Sequence, residues 1–163
     1  MENDRMEAVV QTYAETLYRL AYTQLRVRAD AEDVVQEVFL AYLRRALNFA
    51  DSEHERAWLI RVTLNRCRDL LRSAWRRRRG EMPDDIPAEM PHEESELLAA
   101  VTALPTRYRA PIHLYYYEGY AIREIAELLG CRPATVGTRL ARGRRLLRAA
   151  LGGEENNDEK EGN

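Results

Sequence analysis

The chain has 163 residues, is 45% hydrophobic and carries a formal net charge of −2. That length suits one domain or two small ones, and no run approaches the ~18 apolar residues of a membrane span, so no direct membrane insertion is expected. The charged start, MENDRMEA, leads into no apolar stretch with a cleavage site, which predicts a cytoplasmic chain rather than a secreted one.

The small total charge hides a block pattern. Residues 1–79 hold 15 basic and 12 acidic groups, 80–96 none and seven, 97–152 nine and three, and 153–163 one and five. Two basic modules alternating with two acidic segments point to nucleic-acid contact. Arginine supplies 24 of the 25 cations. Its guanidinium forks onto phosphates and guanine edges better than an ammonium does, although genome base composition accounts for the bias equally well. Cys67 and Cys131 are 64 positions apart, a spacing that supports neither a disulfide nor a zinc site. Both read as small apolar side chains in reducing surroundings.

Residues 1–79 contain no Gly and no Pro, so this block reads as all helix. Tyr13, Leu17, Ala21 and Leu25 recur every four residues on a first helix. Asp30 is expected to cap a second, whose apolar face is Val34, Val35, Val38, Phe39, Tyr42 and Leu43. Its other face, Glu32, Asp33, Gln36 and Glu37, suits either water or a basic protein partner. The pattern breaks from Asn48 to Asp51. Ser52 and Glu55 then have capping-box spacing ahead of a long third helix, from about Glu53 to the Arg76–Arg79 cluster. On it Arg61, Asn65, Arg68, Arg72, Arg76 and Arg79 form one stripe opposite Ile60, Leu64, Cys67 and Leu71. A solvated face and a nucleic-acid surface remain equal readings of that stripe on spacing alone. Trp58 and Trp75 read as core anchors ahead of base-stacking platforms, and Phe49 fits either role.

The domain boundaries expected are 1–79, an acidic proline-containing linker over 80–93 that is extended and self-repelling, a second helical domain over 94–151, and a disordered acidic tail over 152–163. In the second domain a helix using Leu97, Leu98, Val101 and Leu104 is expected to stop at Pro105. The next carries Pro111 as a kink and ends at Glu118-Gly119. Residues 119–148 then read as a helix-turn-helix, with Gly130 in the turn, Ala126 letting the two helices approach, and Pro133 at the first position of the second helix. On that helix Val136, Leu140, Gly143, Leu147 and Ala150 fall on one inward stripe. Thr135, Thr138, Arg139, Arg142 and Arg145 gather on the other side, where the first residues would meet base edges and the later arginines phosphate. His54, His92 and His113 are isolated, and no catalytic constellation is legible. The expected protein is no enzyme and needs no cofactor or metal.

Three segments in order resemble one family, the bacterial sigma factors of RNA polymerase. DAEDVVQEVFLAYLRR (residues 30–45) is similar to their polymerase-binding segment, often written D-A-E-D-x-x-Q-E-x-F. ERAWLIRVTLNRCRDLLR (residues 55–72) resembles the minus-ten-reading segment. Residues 103–148 resemble the carboxy-terminal promoter-reading domain. The short length, with only a linker between the modules, is similar to the extracytoplasmic-function (ECF) class. The resemblance implies an all-α fold of two small helical domains and a protein that directs core polymerase to promoters. Asp33, Gln36 and Glu37 would dock on the clamp helices of the largest polymerase subunit. The break at Asn48–Glu55, with Phe49 in it as a minus-ten contact, and Asn65 after it would serve capture of an unpaired minus-ten base, with Arg61, Arg68, Arg72 and Arg76 on the melted strand. Arg132, Thr135, Thr138, Arg139, Arg142 and Arg145 would read the minus-thirty-five element. The linker would thread a polymerase channel, and an anti-sigma factor would hold the chain, a monomer on polymerase. Departures from the family pattern, namely Arg132 at the cap, Ala134, Gly137 and Thr138, bear on promoter sequence rather than class. Few aromatics flank the minus-ten loop in sequence, which implies weak melting and strict promoter choice. A conventional dimeric helix-turn-helix regulator and a helical protein-binding adaptor are the alternatives.

Overall fold

The computed structural model describes residues 2–45, 48–77 and 96–152, with the backbone alone for residue 2 and for 74–77. The linker over 80–93, the tail beyond residue 152, Arg79, His92 and the side chains of Trp75 and Arg76 lie outside the described residues. Within them the chain forms helices only: α1 Glu2–Leu25, α2 Arg28–Arg45, α3 Ser52–Arg77, α4 Glu96–Thr102, α5 Thr106–Tyr116, α6 Ile122–Leu129 and α7 Pro133–Ala150. The chain divides into two units, Met1–Glu89 and Met90–Asn163.

In the first unit α1, α2 and α3 pack mutually. Each supplies an apolar stripe at helical spacing: Tyr13, Leu17 and Ala21 from α1, Val34, Val38 and Tyr42 from α2, and Ile60, Leu64 and Cys67 from α3. Thr63 is fully buried, and its hydroxyl is satisfied by the Leu59 carbonyl at 2.8 Å. Two expectations for α2 need correction. The helix starts at Arg28, so Asp30 sits in its first turn and favours the helix dipole there instead of capping it. Leu43 is 51% exposed and Val35 only half-buried, because the buried arc is centred on Ala31, Val34, Val38 and Tyr42.

In the second unit α5 is central, with α4, α6 and α7 all packed on it. Pro105 does not stop α4, which ends at Thr102; it occupies the N-cap of α5 with extended backbone (φ −54°, ψ 147°). α5 continues through Pro111 to Tyr116, at the loss of one backbone hydrogen bond. The next turn places Gly119 at φ +73°, and the Tyr120 N–H closes it onto the Leu114 carbonyl at 3.0 Å. Ile112, Leu114, Ile125 and Val136 are fully buried. So are Arg109, whose Nη2 donates to Thr106 Oγ1 at 2.6 Å, and His113, which lies 3.2 Å from Glu118 Oε1 and stacks on Tyr117. One of the arginines counted toward the basic character of this module is therefore structural, and His113 is paired rather than isolated.

Candidate nucleic-acid interface

The helix-turn-helix is built by local rules. Glu124 Oε1 accepts the Ala121 N–H at 2.9 Å, half of a capping box, since alanine has no acceptor to return. α6 buries Ile125, Ala126 and Leu128 and ends at Gly130, which takes the left-handed conformation (φ 68°, ψ 38°). The Cys131 N–H then reaches back to the Ala126 carbonyl at 3.0 Å. Arg132 adopts extended backbone at the N-cap of α7 without a side-chain cap bond, and Pro133 follows in the first turn. Val136, Leu140, Gly143 and Leu147 are buried. Arg132, Thr138, Arg142 and Arg145 are exposed, while Thr135 and Arg139 are half-buried at the margin. Ala150, expected on the inward stripe, is exposed, because it lies in the last turn, next to the C-cap Leu151.

α3 carries the second row. Arg61, Asn65, Arg68 and Arg72 are exposed, opposite buried Ile60, Leu64 and Cys67 and half-buried Leu71. Burial pushes the Cys67 thiol up to about 12, which leaves it protonated and unreactive.

The loop before α3 holds the main local surprise. Asp51, not Ser52, caps the helix. Its Oδ1 accepts the His54 backbone N–H at 2.9 Å and lies 2.7 Å from the His54 ring Nδ1. These contacts, the backbone bond first, hold the Asp51 carboxyl below its usual value. Glu55 is thereby released from capping, and the Tyr42 hydroxyl donates to its Oε2 at 2.7 Å. Phe49 is half-buried, stacked on Tyr42 with ring centroids 6.0 Å apart and tilted against Trp58 at the same distance. Tyr42 and Trp58 meet edge-on at 6.1 Å. Three aromatics thus gather beneath a loop that in sequence shows only one.

On α2, Asp33, Gln36 and Glu37 are exposed together on the face away from the core. Arg66 of α3 donates to Glu37 Oε2 at 3.1 Å. Leu40, one turn on, shares this face and is 47% exposed. Beside Glu37 a cleft of about 330 Å³ is lined by Asp30, Asp33, Glu37 and Asp69 together with Arg66 and Ser73, and Val34 and Leu70 are its apolar part. Arg66 and Leu40 had no signal of their own in sequence, because one is an ordinary arginine between core positions and the other an ordinary helical leucine.

A helix-turn-helix with a basic outer face and a three-helix unit with a basic row and an acidic face, carried on one chain, match the sigma-70 class. The family model described as Sigma-70 region 2 matches residues 9–77, and that described as Sigma-70, region 4 matches residues 94–147. The ECF RNA polymerase sigma factor SigE of Mycolicibacterium smegmatis is 36% identical over 157 residues, spanning 89% of this chain and 61% of that protein. The ECF RNA polymerase sigma factor SigM of Mycobacterium tuberculosis is 33% identical over 140 residues, spanning 83% of this chain and 71% of that protein. Among solved structures, the sigma factor RpoE of Bartonella quintana, in complex with the anti-sigma factor NepR, superposes with a TM-score of 0.74 at 19% identity, covering 93% of this chain and 98% of that one. This chain belongs to the ECF RNA polymerase sigma factors. Neither the dimeric regulator nor the helical adaptor is favoured by these matches. Among the described residues no helix is long and apolar enough to cross a membrane.

Proposed function

We propose that this chain directs core RNA polymerase to specific promoters and initiates transcription there. The observation that carries this reading is the pair of exposed arginine faces, on α3 and α7, in segments that match sigma-70 regions 2 and 4. In the region 4 unit α7 enters the major groove at the minus-thirty-five element. Arg132, Thr135 and Thr138 meet base edges, and Arg139, Arg142 and Arg145 hold edges and phosphates. In the region 2 unit the loop before α3, with Asn65, captures an unpaired minus-ten base. Phe49 contributes indirectly: packed on Tyr42 and Trp58, it stiffens the loop. Arg61, Arg68 and Arg72 hold the melted strand by its backbone, and the same role is proposed for Arg76, whose side chain lies outside the described residues.

Asp33, Gln36 and Glu37, with Leu40 beside them, dock on the clamp helices of the largest polymerase subunit. The acidic linker threads a polymerase channel, and an anti-sigma factor covers the DNA-facing surfaces of the free chain. The protein acts in the cytoplasm as a monomer on polymerase. Bond chemistry belongs to polymerase, and the sigma factor supplies only binding. The test is run-off transcription by core polymerase with the purified chain on a promoter library. Initiation from a discrete set of templates is expected; initiation unchanged from that of core polymerase alone overturns the reading.

A further inference from the structure

We propose that Glu55 is a positioning residue for base capture: bonded to the Tyr42 hydroxyl of α2 and faced by the Tyr13 hydroxyl of α1, it fixes the loop before α3 in the shape that receives an unpaired base. This rests on the reading of that loop as the capturing element.

Tyr42 serves the loop twice. Its ring stacks on Phe49, inside the loop, with centroids 6.0 Å apart. Its hydroxyl donates to Glu55 Oε2 at 2.7 Å, in the first turn of α3. From α1, the Tyr13 hydroxyl arrives at the same place and donates to the Ser52 carbonyl at 3.4 Å. Burial first, and then the Glu55 carboxylate, raise both phenols above their ordinary value of 10.0, while Arg5 beside Tyr42 and Arg56 beside Tyr13 pull the other way. Tyr13 is 8% exposed and Tyr42 6%. A phenol so buried needs a polar partner, a demand that phenylalanine would not make. Two tyrosines from two helices, turned toward one carboxylate on a third, make a fixed junction at the exit of the loop. Asp51 already caps α3, so Glu55 is available for it.

The aromatic stack alone leaves the loop loosely aimed, since apolar contact has no preferred direction. A charge-assisted hydrogen bond has one. Extruding a base from its stack is costly, and a loop ordered beforehand adds no ordering entropy to that cost.

The experiment uses full-length protein with core polymerase on a promoter found by run-off transcription, its minus-ten element supplied already unpaired. Binding is compared between the intact template and templates with an abasic site at each minus-ten position in turn. Wild type is expected to prefer the base at one position. Tyr42→Phe, which keeps the ring under Phe49 and removes only the hydroxyl, should narrow that preference by about tenfold, the worth of one hydrogen bond to a charged group. Glu55→Ala should narrow it at least as much, and Glu55→Gln, whose amide oxygen still accepts, should recover part of it. The double variant Tyr42→Phe with Glu55→Ala should be no worse than Glu55→Ala alone. A loss equal on base-bearing and abasic templates is what a merely structural role produces, and it overturns the proposal. So does an unchanged preference in every variant, or losses that add in the double variant. Melting curves accompany each measurement; should Glu55→Ala unfold, Tyr42→Phe against Glu55→Gln decides. A wild type indifferent to abasic sites throughout the element sinks the reading of the loop and this inference with it.

Discussion

Gly143 of α7 and Ile112 of α5 meet so closely that a Cβ on the glycine would lie 2.8 Å from the isoleucine Cγ1 and 3.0 Å from its Cδ1. The notch sets how deeply α7 seats on α5, the central helix of its unit. Alanine at 143 gains helix propensity, about 1 kcal/mol, but forces Ile112 or the helix to move, at roughly 1–3 kcal/mol. Gly143→Ala should therefore lose on the order of 1 kcal/mol of stability in urea unfolding. In an Ile112→Ala background, where the opposing carbons are gone, the alanine should no longer destabilise. Equal losses in both backgrounds would mean that the notch is not the cause.

The cap at Asp51 makes a pH-dependent prediction. The Asp51 carboxyl is held below its ordinary value of 3.8 by the His54 backbone N–H and then by the His54 ring. A depressed carboxylate contributes stability above its unfolded value and loses it as pH falls through the folded one. Asn also caps helices but does not titrate in this range. The wild-type advantage in melting temperature over Asp51→Asn should accordingly be present at neutral pH and shrink below about pH 4. An advantage that grows on acidification would contradict the assignment.

Arg142 is exposed on α7 and Arg139 lies at the margin of the same face. Replacing each by Ala should weaken promoter binding and flatten the dependence of log affinity on log salt by about one unit for every phosphate that is no longer neutralised. Titrations of the polymerase complex at several salt concentrations read this directly. An unchanged slope would assign these side chains to solvent or to base edges alone.

On α2, the Asp33→Lys and Gln36→Lys variants should reduce capture of core polymerase. Leu40→Ala should reduce it as well, by ~1 kcal/mol or more if the leucine is a central contact. Glu37→Ala should also unsettle Arg66, which it binds at 3.1 Å, so its effect on folding stability needs to be measured beside its effect on capture. Undiminished capture by all three of the Asp33, Gln36 and Leu40 variants would move the docking face elsewhere.

The two cysteines should differ in reactivity. Cys67 is buried, with its thiol pushed up to about 12, whereas Cys131 is half-buried in the turn of the helix-turn-helix. A thiol reagent under native conditions should label Cys131 first and reach Cys67 only when the first unit opens. Fast labelling of both would show that the α1–α3 core is looser than its packing implies.

The outline of the molecule was readable from local pattern. Freedom from Gly and Pro over residues 1–79 implied helices, and Gly130 with Pro133 marked the turn and restart of the reading unit, because these residues act through backbone geometry within a few positions. The arginine rows were likewise legible, since a 3.6-residue period assigns faces before any neighbour is known. Which of two adjacent acceptors caps α3 was not legible: Asp51 and Ser52 both suit a cap, and the choice fell to Asp51 while Glu55 turned to Tyr42, 13 positions away. Nor was the flanking aromatic count informative, because Tyr42, Phe49 and Trp58 meet only when α2 packs on α3.

By itself, then, the sequence determined that the chain is helical, that it carries two basic faces, and which family it resembles, all properties of spacing along one chain. Only the tertiary structure decided that Arg109 is buried, that Arg66 pairs with Glu37 across 29 residues, and that Gly143 is a notch for Ile112. Periodicity says which way a side chain points. It does not say what comes to meet it from a distant segment, and in a close-packed interior that meeting sets the energy.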